Sequence, residues 1–400
     1  MLESAEQMSV DAGPLSGYRI IDLTSYVSGP FATMLLADQG AEVIKIEEPN
    51  TGDFLRYSGT SRENLAAPFL TNNRNKLSVA LDLKRPEALE VVYRLVETAD
   101  VFVQNFRPGV ADRLGVGEAV LRGKNKNLIY VSISGFGPSG PYAARRVYDS
   151  VVQSVGGIGH LQKGSRDRPE LVRTVMADKV TAQYAAQGIT AALLARERGK
   201  GGQHVEVPML DATLAWIWPD GMTDLTFVGD ENVVRAARVA ELDLIFATQD
   251  GHIMVASVSD AEFVAFAEGL GQPELAQDGR FRTIQGRLTH WKALADIIRK
   301  ELVKHKTDYW DARFAEADAV SAPVNSREQV VADPQVIESE ILFEYQHSAA
   351  GTIRQPRHPI RFSATPADSA RSEAPVLGEH TKAILQALDL SDGEIEQITG

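Results

Sequence analysis

Cysteine is absent from this sequence, and that removes disulfides, thiolate metal ligands and thiol nucleophiles together. Covalent catalysis, if there is any, falls to Ser, Thr, Asp, Glu, Lys, His or Tyr. A basic excess is also missing: 41 Lys and Arg stand against 54 Asp and Glu, a formal net charge of -13. Such a field opposes nucleic acid and anionic membrane surfaces, so neither is an expected partner and an anionic ligand needs a local basic pocket. No apolar run reaches the roughly 18–20 residues of a membrane span. The segment Met1 to Gly17 lacks the basic start and hydrophobic stretch of a signal peptide, which makes a cytoplasmic location the expectation. The eight histidines are scattered, with no HExxH and no paired spacing, and no metal is expected. There is no GxSxG elbow, no P-loop and no internal repeat.

What is present is ample core material, 44% hydrophobic over 400 residues, in an alternation of short β-branched runs and longer helical patterns. Arg19 to Leu23, Glu42 to Ile46, Leu77 to Leu81 and Val101 to Gln104 read as strands; Phe31 to Gln39 and Pro86 to Ala99 read as helices. Asn127 to Ser134 predicts a buried strand, Asp178 to Arg198 a long alanine-rich helix ended by Gly199 to Gly202, and Gln203 to Pro208 another strand. That rhythm is α/β. Periodicity fades over Asp220 to Glu241, so the domain boundaries are placed at 1–224, 225–335 and 336–400. The middle segment predicts a strand pair around Asp250-Gly251 and amphipathic helices such as Trp291 to His305.

Gly135-Phe136-Gly137-Pro138-Ser139-Gly140 matches GxGxxG in form. Pro138 and Pro141 oppose the helix that must open within the glycines, and Val151 to Ser165 offers no acidic residue for a ribose. No nucleotide redox cofactor is therefore expected; the loop is a Gly/Pro turn whose bare backbone can approach a ligand. Asp178 opens the long helix. Its position is that of a helix cap; a carboxylate there also stays ionised and able to act as a nucleophile, and position alone does not decide between the two. Arg56, Arg74, Lys76, Lys84, Arg85, Arg107, Arg113, Arg145 and Arg146 all fall in the first 150 residues. They form a solvated surface, or they converge on a ligand with a pyrophosphate and a further phosphate, such as coenzyme A.

The ordered motifs go further. Asp22-Leu23-Thr24 with Ser28-Gly29-Pro30, Gly40 to Glu47 (GAEVIKIE), Gly52-Asp53, Asn73-Arg74-Asn75-Lys76 and Leu81 to Lys84 come first. Asn105 to Gly109 (NFRPG), Ser134 to Gly137, Gly140-Pro141-Tyr142, Gly199 to Val205, Asp333-Pro334 and Leu377 to Thr381 follow. Together they resemble the family III CoA transferases, the group of formyl-CoA transferase, carnitine CoA transferase and alpha-methylacyl-CoA racemase. The resemblance implies a large Rossmann-like α/β domain built from both chain ends, a smaller inserted α+β domain, and an interlocked homodimer. It implies Asp178 as the catalytic residue. It places coenzyme A, carried by an acyl-CoA substrate, near Val27, Ser28, Leu81 to Lys84, Asn105, Phe106, Arg107, Arg113 and Arg146. Glu48 departs from a pattern that has a basic residue there.

The implied reaction moves CoA from a thioester to a free carboxylic acid through covalent aspartyl intermediates, with no ATP or metal. Backbone N–H groups at Gly135, Gly137 and Gly140 are the expected oxyanion donors. Two alternatives stand. A racemase calls for a histidine where this chain has Tyr148, and a phenol with a reference pKa near 10 is a poor base at neutral pH; His160 and His204 do not stand at that position. A non-catalytic acyl-CoA-binding protein has no need of Asp178. Glu241 is either an acid of the small domain or an exposed loop carboxylate. No glycine-rich flap is evident in Asp220 to Glu241, which weighs against oxalate and formate as substrates.

Overall fold

The computed structural model describes residues 13–164, 167–229, 232–233 and 242–399. Six parallel strands form its main sheet: β1 (Arg19–Leu23), β2 (Glu42–Glu47), β3 (Lys76–Ala80), β4 (Val101–Gln104), β5 (Ile129–Ser134) and β6 (His204–Pro208). Their order is β3-β2-β1-β4-β5-β6. The chain winds outward from β1 to β3, then returns to the middle and winds the other way from β4. The carboxyl ends of β1 and β4 therefore flank a topological switch point, where open α/β sheets hold their ligands.

Both faces of the central strands are covered, and Ile, Val and Leu there are buried on either side. Successive side chains alternate between faces. Ile20, Val43, Val101 and Val131 face one core with Met34 and Leu36 of helix Ser28–Asp38 and with Ala182, Ala185 and Ile189 of helix Met176–Ala195. Ile21, Ile44, Phe102 and Tyr130 face the other, with helix Pro86–Glu97. That helix starts on a proline, carries Glu87 in its first turn and Arg94 in its last, and buries Ala88, Val91, Val92, Leu95 and Val96, the spacing of an amphipathic face. The small alanines of the Met176 helix let it lie close against the Ser28 helix, bringing the starts of both to one place.

The end of the chain completes the same body. His380 N–H donates to Ser78 O at 2.9 Å, Thr381 Oγ1 accepts from Ala80 N–H at 3.0 Å, and Leu385, Ile395 and Ile398 join the second core. By compactness the chain forms two units, residues 1–159 with 171–221 and 339–400, and residues 160–170 with 222–338. Within the second, strands Ile245–Ala247, His252–Val255 and Ser321–Pro323 form an antiparallel sheet. It is packed with Phe263, Phe266, Phe314 and Trp310 from helices Asp260–Leu270 and Thr307–Glu316. The strand pair expected around Asp250-Gly251 is there, with a third strand from seventy residues on that local patterning did not signal.

Candidate active site

The site is built on the loop between β1 and the Ser28 helix. Asp22, fully buried at the end of β1, accepts from Thr24 N–H at 2.9 Å, from the Thr24 hydroxyl, from Thr33 Oγ1 at 2.7 Å and from Lys76 Nζ at 2.9 Å. Burial pushes its carboxyl up, but Lys76, Lys45 and the two threonine hydroxyls outweigh that and hold it well below the ordinary carboxylate range. Burial and Lys45 bring Lys76 down to about 8 against the opposing pull of Asp22, so both partners remain charged at neutral pH. Lys45 Nζ donates to Thr24 O at 2.7 Å and lies 3.1 Å from Asp53 Oδ2. That second contact is an ion pair between two buried side chains.

The loop is clasped from the other side of the switch point. Asn105, just past β4, accepts from Ser25 N–H at 3.0 Å and donates to Ser25 O at 2.7 Å. Tyr26 is held at φ +66°, in the left-handed region that non-glycine residues seldom visit, with its N–H on Asp53 Oδ1 at 3.1 Å. At Gly29 a Cβ would stand 2.4 Å from the Thr24 side chain, so only glycine lets the helix start this close to the loop.

Asp178 lies where the two helices begin. It is the third residue of helix Met176–Ala195, whose N-cap is Val175, and that cap makes no side-chain bond. The expected cap role is thus not the one observed: buried Asp149 accepts the Asp178 backbone N–H on Oδ1 at 3.1 Å. The Asp178 carboxyl instead lies near Ser28, whose hydroxyl and backbone N–H favour its charged form. Burial and the neighbouring Asp149 raise its pKa to about 7, against the lowering pull of Ser28. Burial and a like charge thus oppose the ionised form that the helix start was expected to favour.

Of the nine basic residues read as one cluster, three are buried and committed. Arg56 donates to both oxygens of Glu47, Arg74 to both oxygens of Asp38, and Lys76 to Asp22. Half-buried Arg85 donates to the carbonyls of Gln397 and Ile398. Lys84, Arg107, Arg113, Arg145 and Arg146 are exposed. Two pockets adjoin the sheet, the first at the carboxyl ends of its strands and the second along the face of its last two. One is lined by Leu23, Thr24, Leu81, Lys84 and Phe106. The other is lined by Phe106, Arg107, Ser132, His204 and Glu206. Leu81, Lys84, Phe106 and Arg107 thus line pockets, Asn105 holds the loop between them, and Val27 and Ser28 start the helix at Asp178. Arg113 and Arg146 line neither pocket.

Glu48 lines the first pocket, its carboxyl lowered to about 2 by Thr51 and Asn50, so a negative charge stands at that wall. In the glycine loop, Gly135 packs against Val147, where a Cβ would come within 2.6 Å. Gly137 (φ +84°) already donates its N–H to Ser134 Oγ at 3.1 Å, and Gly140 (φ +89°) is open to solvent. The Gly137 N–H is therefore not a free oxyanion donor here, whereas the Ser28 N–H, which loop patterning did not single out, faces the carboxyl.

Tyr148 is exposed, its ring edge-on to Tyr26 at 6.0 Å, and Tyr26 stacks on Phe54 at 5.1 Å. His204 hydrogen bonds to Ser132 Oγ at 2.9 Å. Glu241 lies outside the described residues. Among the described residues no group of three or more His, Asp or Glu is placed to hold a metal ion, and no helix is long and apolar enough to cross a membrane.

Comparison with known proteins fits this geometry. The profile of the family described as CoA-transferase family III matches residues 15–381. A succinate–glutarate CoA-transferase of Agrobacterium fabrum is 35% identical over 389 residues, covering 94% of this chain and 96% of its own. The mouse succinyl-CoA:glutarate CoA-transferase is 32% identical over 391 residues, covering 96% and 89%. A crystal structure of a CAIB/BAIF family protein from Brucella suis superposes with a TM-score of 0.83 at 32% identity, over 94% of this chain and all of that one. The chain belongs to CoA-transferase family III, and is a transferase acting on acyl-CoA.

Proposed function

We propose that the protein moves coenzyme A between carboxylic acids by way of Asp178. The observation that carries this reading is a carboxyl near the start of two helices, with the Ser28 hydroxyl and N–H favouring its charge and the buried Asp149 carboxylate against its backbone. An Asp178 oxygen attacks the thioester carbonyl, the C–S bond breaks, and CoA leaves as thiolate from a mixed anhydride. The thiolate attacks the Asp178 carbonyl carbon and releases the donor acid, leaving an aspartyl-CoA thioester. The acceptor carboxylate attacks that thioester, and the thiolate then takes the new acyl group, returning Asp178 as carboxylate. Acyl energy is kept throughout, so no ATP is consumed.

In this reading the CoA nucleotide occupies the pockets around Leu81, Lys84, Phe106 and Arg107, with exposed Arg113 and Arg146 as further phosphate partners. A phenol at Tyr148 is a poor base for the racemase alternative, and an acyl-CoA-binding role alone leaves the desolvated Asp178 carboxyl unexplained. A panel of acyl-CoA donors against carboxylic acids, read by mass spectrometry, should give new acyl-CoA from at least one pair with no ATP. Deuterium wash-in at the alpha carbon without exchange of acids would favour the racemase instead.

We further infer a large domain from residues 1–224 and 336–400, a small domain from 225–335, and an interlocked homodimer. The family resemblance supports both. Exposed Trp216, Leu225, Phe227 and Val228 are apolar surface that a second chain could cover. Sedimentation should report twice the 43.6 kDa chain mass at micromolar protein, and a species of single mass would contradict the dimer.

A further inference from the structure

Asp149 has no assigned part in the reaction above, yet it is the charged group placed against the nucleophile. It is buried in the first turn of helix Asp149–Val155. Its Oδ1 accepts the Asp178 N–H at 3.1 Å, and its Oδ2 accepts from Gln153 Nε2 at 2.6 Å. Gln153, also buried, accepts from Val172 N–H at 2.9 Å and donates to Thr174 O at 3.2 Å. The strand of chain leading into the Met176 helix and the first turn of that helix are thus tied to one carboxylate. No cation is paired with it among the described residues.

The groups facing Asp178 come from three elements. The Ser28 helix supplies a hydroxyl and an N–H, and the Asp149 helix supplies a negative charge. Met209, from helix Met209–Gly221, packs with Val152 and Ala177 and brings no charge. Lys179, next along the chain, turns away to Thr174 Oγ1 at 2.8 Å. One side of the nucleophile is therefore donor and the other anionic.

Resting on the transferase reading, we propose that Asp149 is a positioning residue for the reaction. It fixes the first turn that carries Asp178, and its charge disfavours the free Asp178 carboxylate relative to the neutral anhydride and thioester formed on it. The physical reasoning is that two neighbouring carboxylates in a desolvated site repel, and acylation of one removes the repulsion. A carboxylate made more basic is also the better nucleophile once ionised. The raised pKa of Asp178 agrees with this arrangement.

The test uses the full-length enzyme and two variants. Asp149→Asn keeps an acceptor oxygen for the Asp178 N–H and removes the charge; Asp149→Ala removes both. In wild type, kcat/KM for an acyl-CoA donor should rise with pH through about 7, because attack requires the carboxylate. In Asp149→Asn that acidic limb should move down by about one unit, and the fraction of enzyme carrying a covalent adduct with donor alone should fall. Asp149→Ala should lose a further factor of about 10 to 100 in kcat through misplacement of the nucleophile, with KM changed much less.

An Asp149→Asn enzyme with wild-type limb and adduct fraction overturns the proposal. So does a wild-type limb near the ordinary carboxylate value of about 4, which needs no folded variant. Absence of any adduct in wild type instead removes the role of Asp178 itself, so the two failures are distinct.

Discussion

Replacing Asp178 by alanine should abolish exchange of labelled acid into acyl-CoA, by at least about 1,000-fold, while acyl-CoA binding remains near wild type. The binding part follows from the pockets, whose lining residues Leu81, Lys84, Phe106 and Arg107 do not depend on the Asp178 side chain. Stability provides an internal control. Asp178 has its pKa raised on folding, to about 7, so its ionised form is disfavoured in the native state. Its stability contribution is fully present below the unfolded value of about 4, is lost as pH rises from there through the folded value, and does not change further above it. Asp178→Ala should consequently melt no lower than wild type at pH 8, and the loss of exchange then cannot be put down to unfolding. Exchange persisting in the variant would take the nucleophile's role from Asp178.

The second large effect concerns stability and lies one layer beneath the site. Asp22→Ala should destabilise the protein by about 3–5 kcal/mol, the usual result of removing one partner from a buried ion pair. The change strands the Lys76 ammonium, whose other partners are the neutral oxygens of Pro30 and Asn73. It also strips Thr24 of the acceptor for its N–H and hydroxyl. The sign with pH is fixed by the direction of the Asp22 shift. Its folded pKa is depressed, so its stabilisation is complete above the unfolded value of about 4 and is lost as pH falls through the folded value. Urea melts at pH 7 should show the full difference and melts near pH 2 a smaller one. An equal difference at both would mean that the charge pair is not the cause.

The fold was legible where one local rule decided each element. Short β-branched runs marked all six parallel strands, and Pro86 with the Val91, Val92, Leu95, Val96 spacing marked a helix. Asp178 was legible from position only as a carboxylate opening a long helix, and the family resemblance singled it out as catalytic. What escaped were relations between distant residues. Arg56, Arg74 and Lys76 look like phosphate ligands in sequence, yet Glu47, Asp38 and Asp22 claim them in the interior, and nothing local to each arginine or lysine announces its partner. Asp149 reads as an ordinary acidic residue in a helix first turn; only the packing of its helix on the Met176 helix puts it under Asp178. The glycine loop pointed to backbone donors by composition, but Gly137 spends its N–H on Ser134, and the donor facing the carboxyl comes from Ser28.

The most direct test of a nucleophilic Asp178 is the mass of the intact protein after brief incubation with a productive acyl-CoA donor and no acceptor. An added CoA or acyl group should appear, map to the peptide containing residue 178, and be removed by hydroxylamine. A donor that is turned over with acceptor present, yet never leaves a modification at that residue under rapid quenching, contradicts covalent transfer through Asp178.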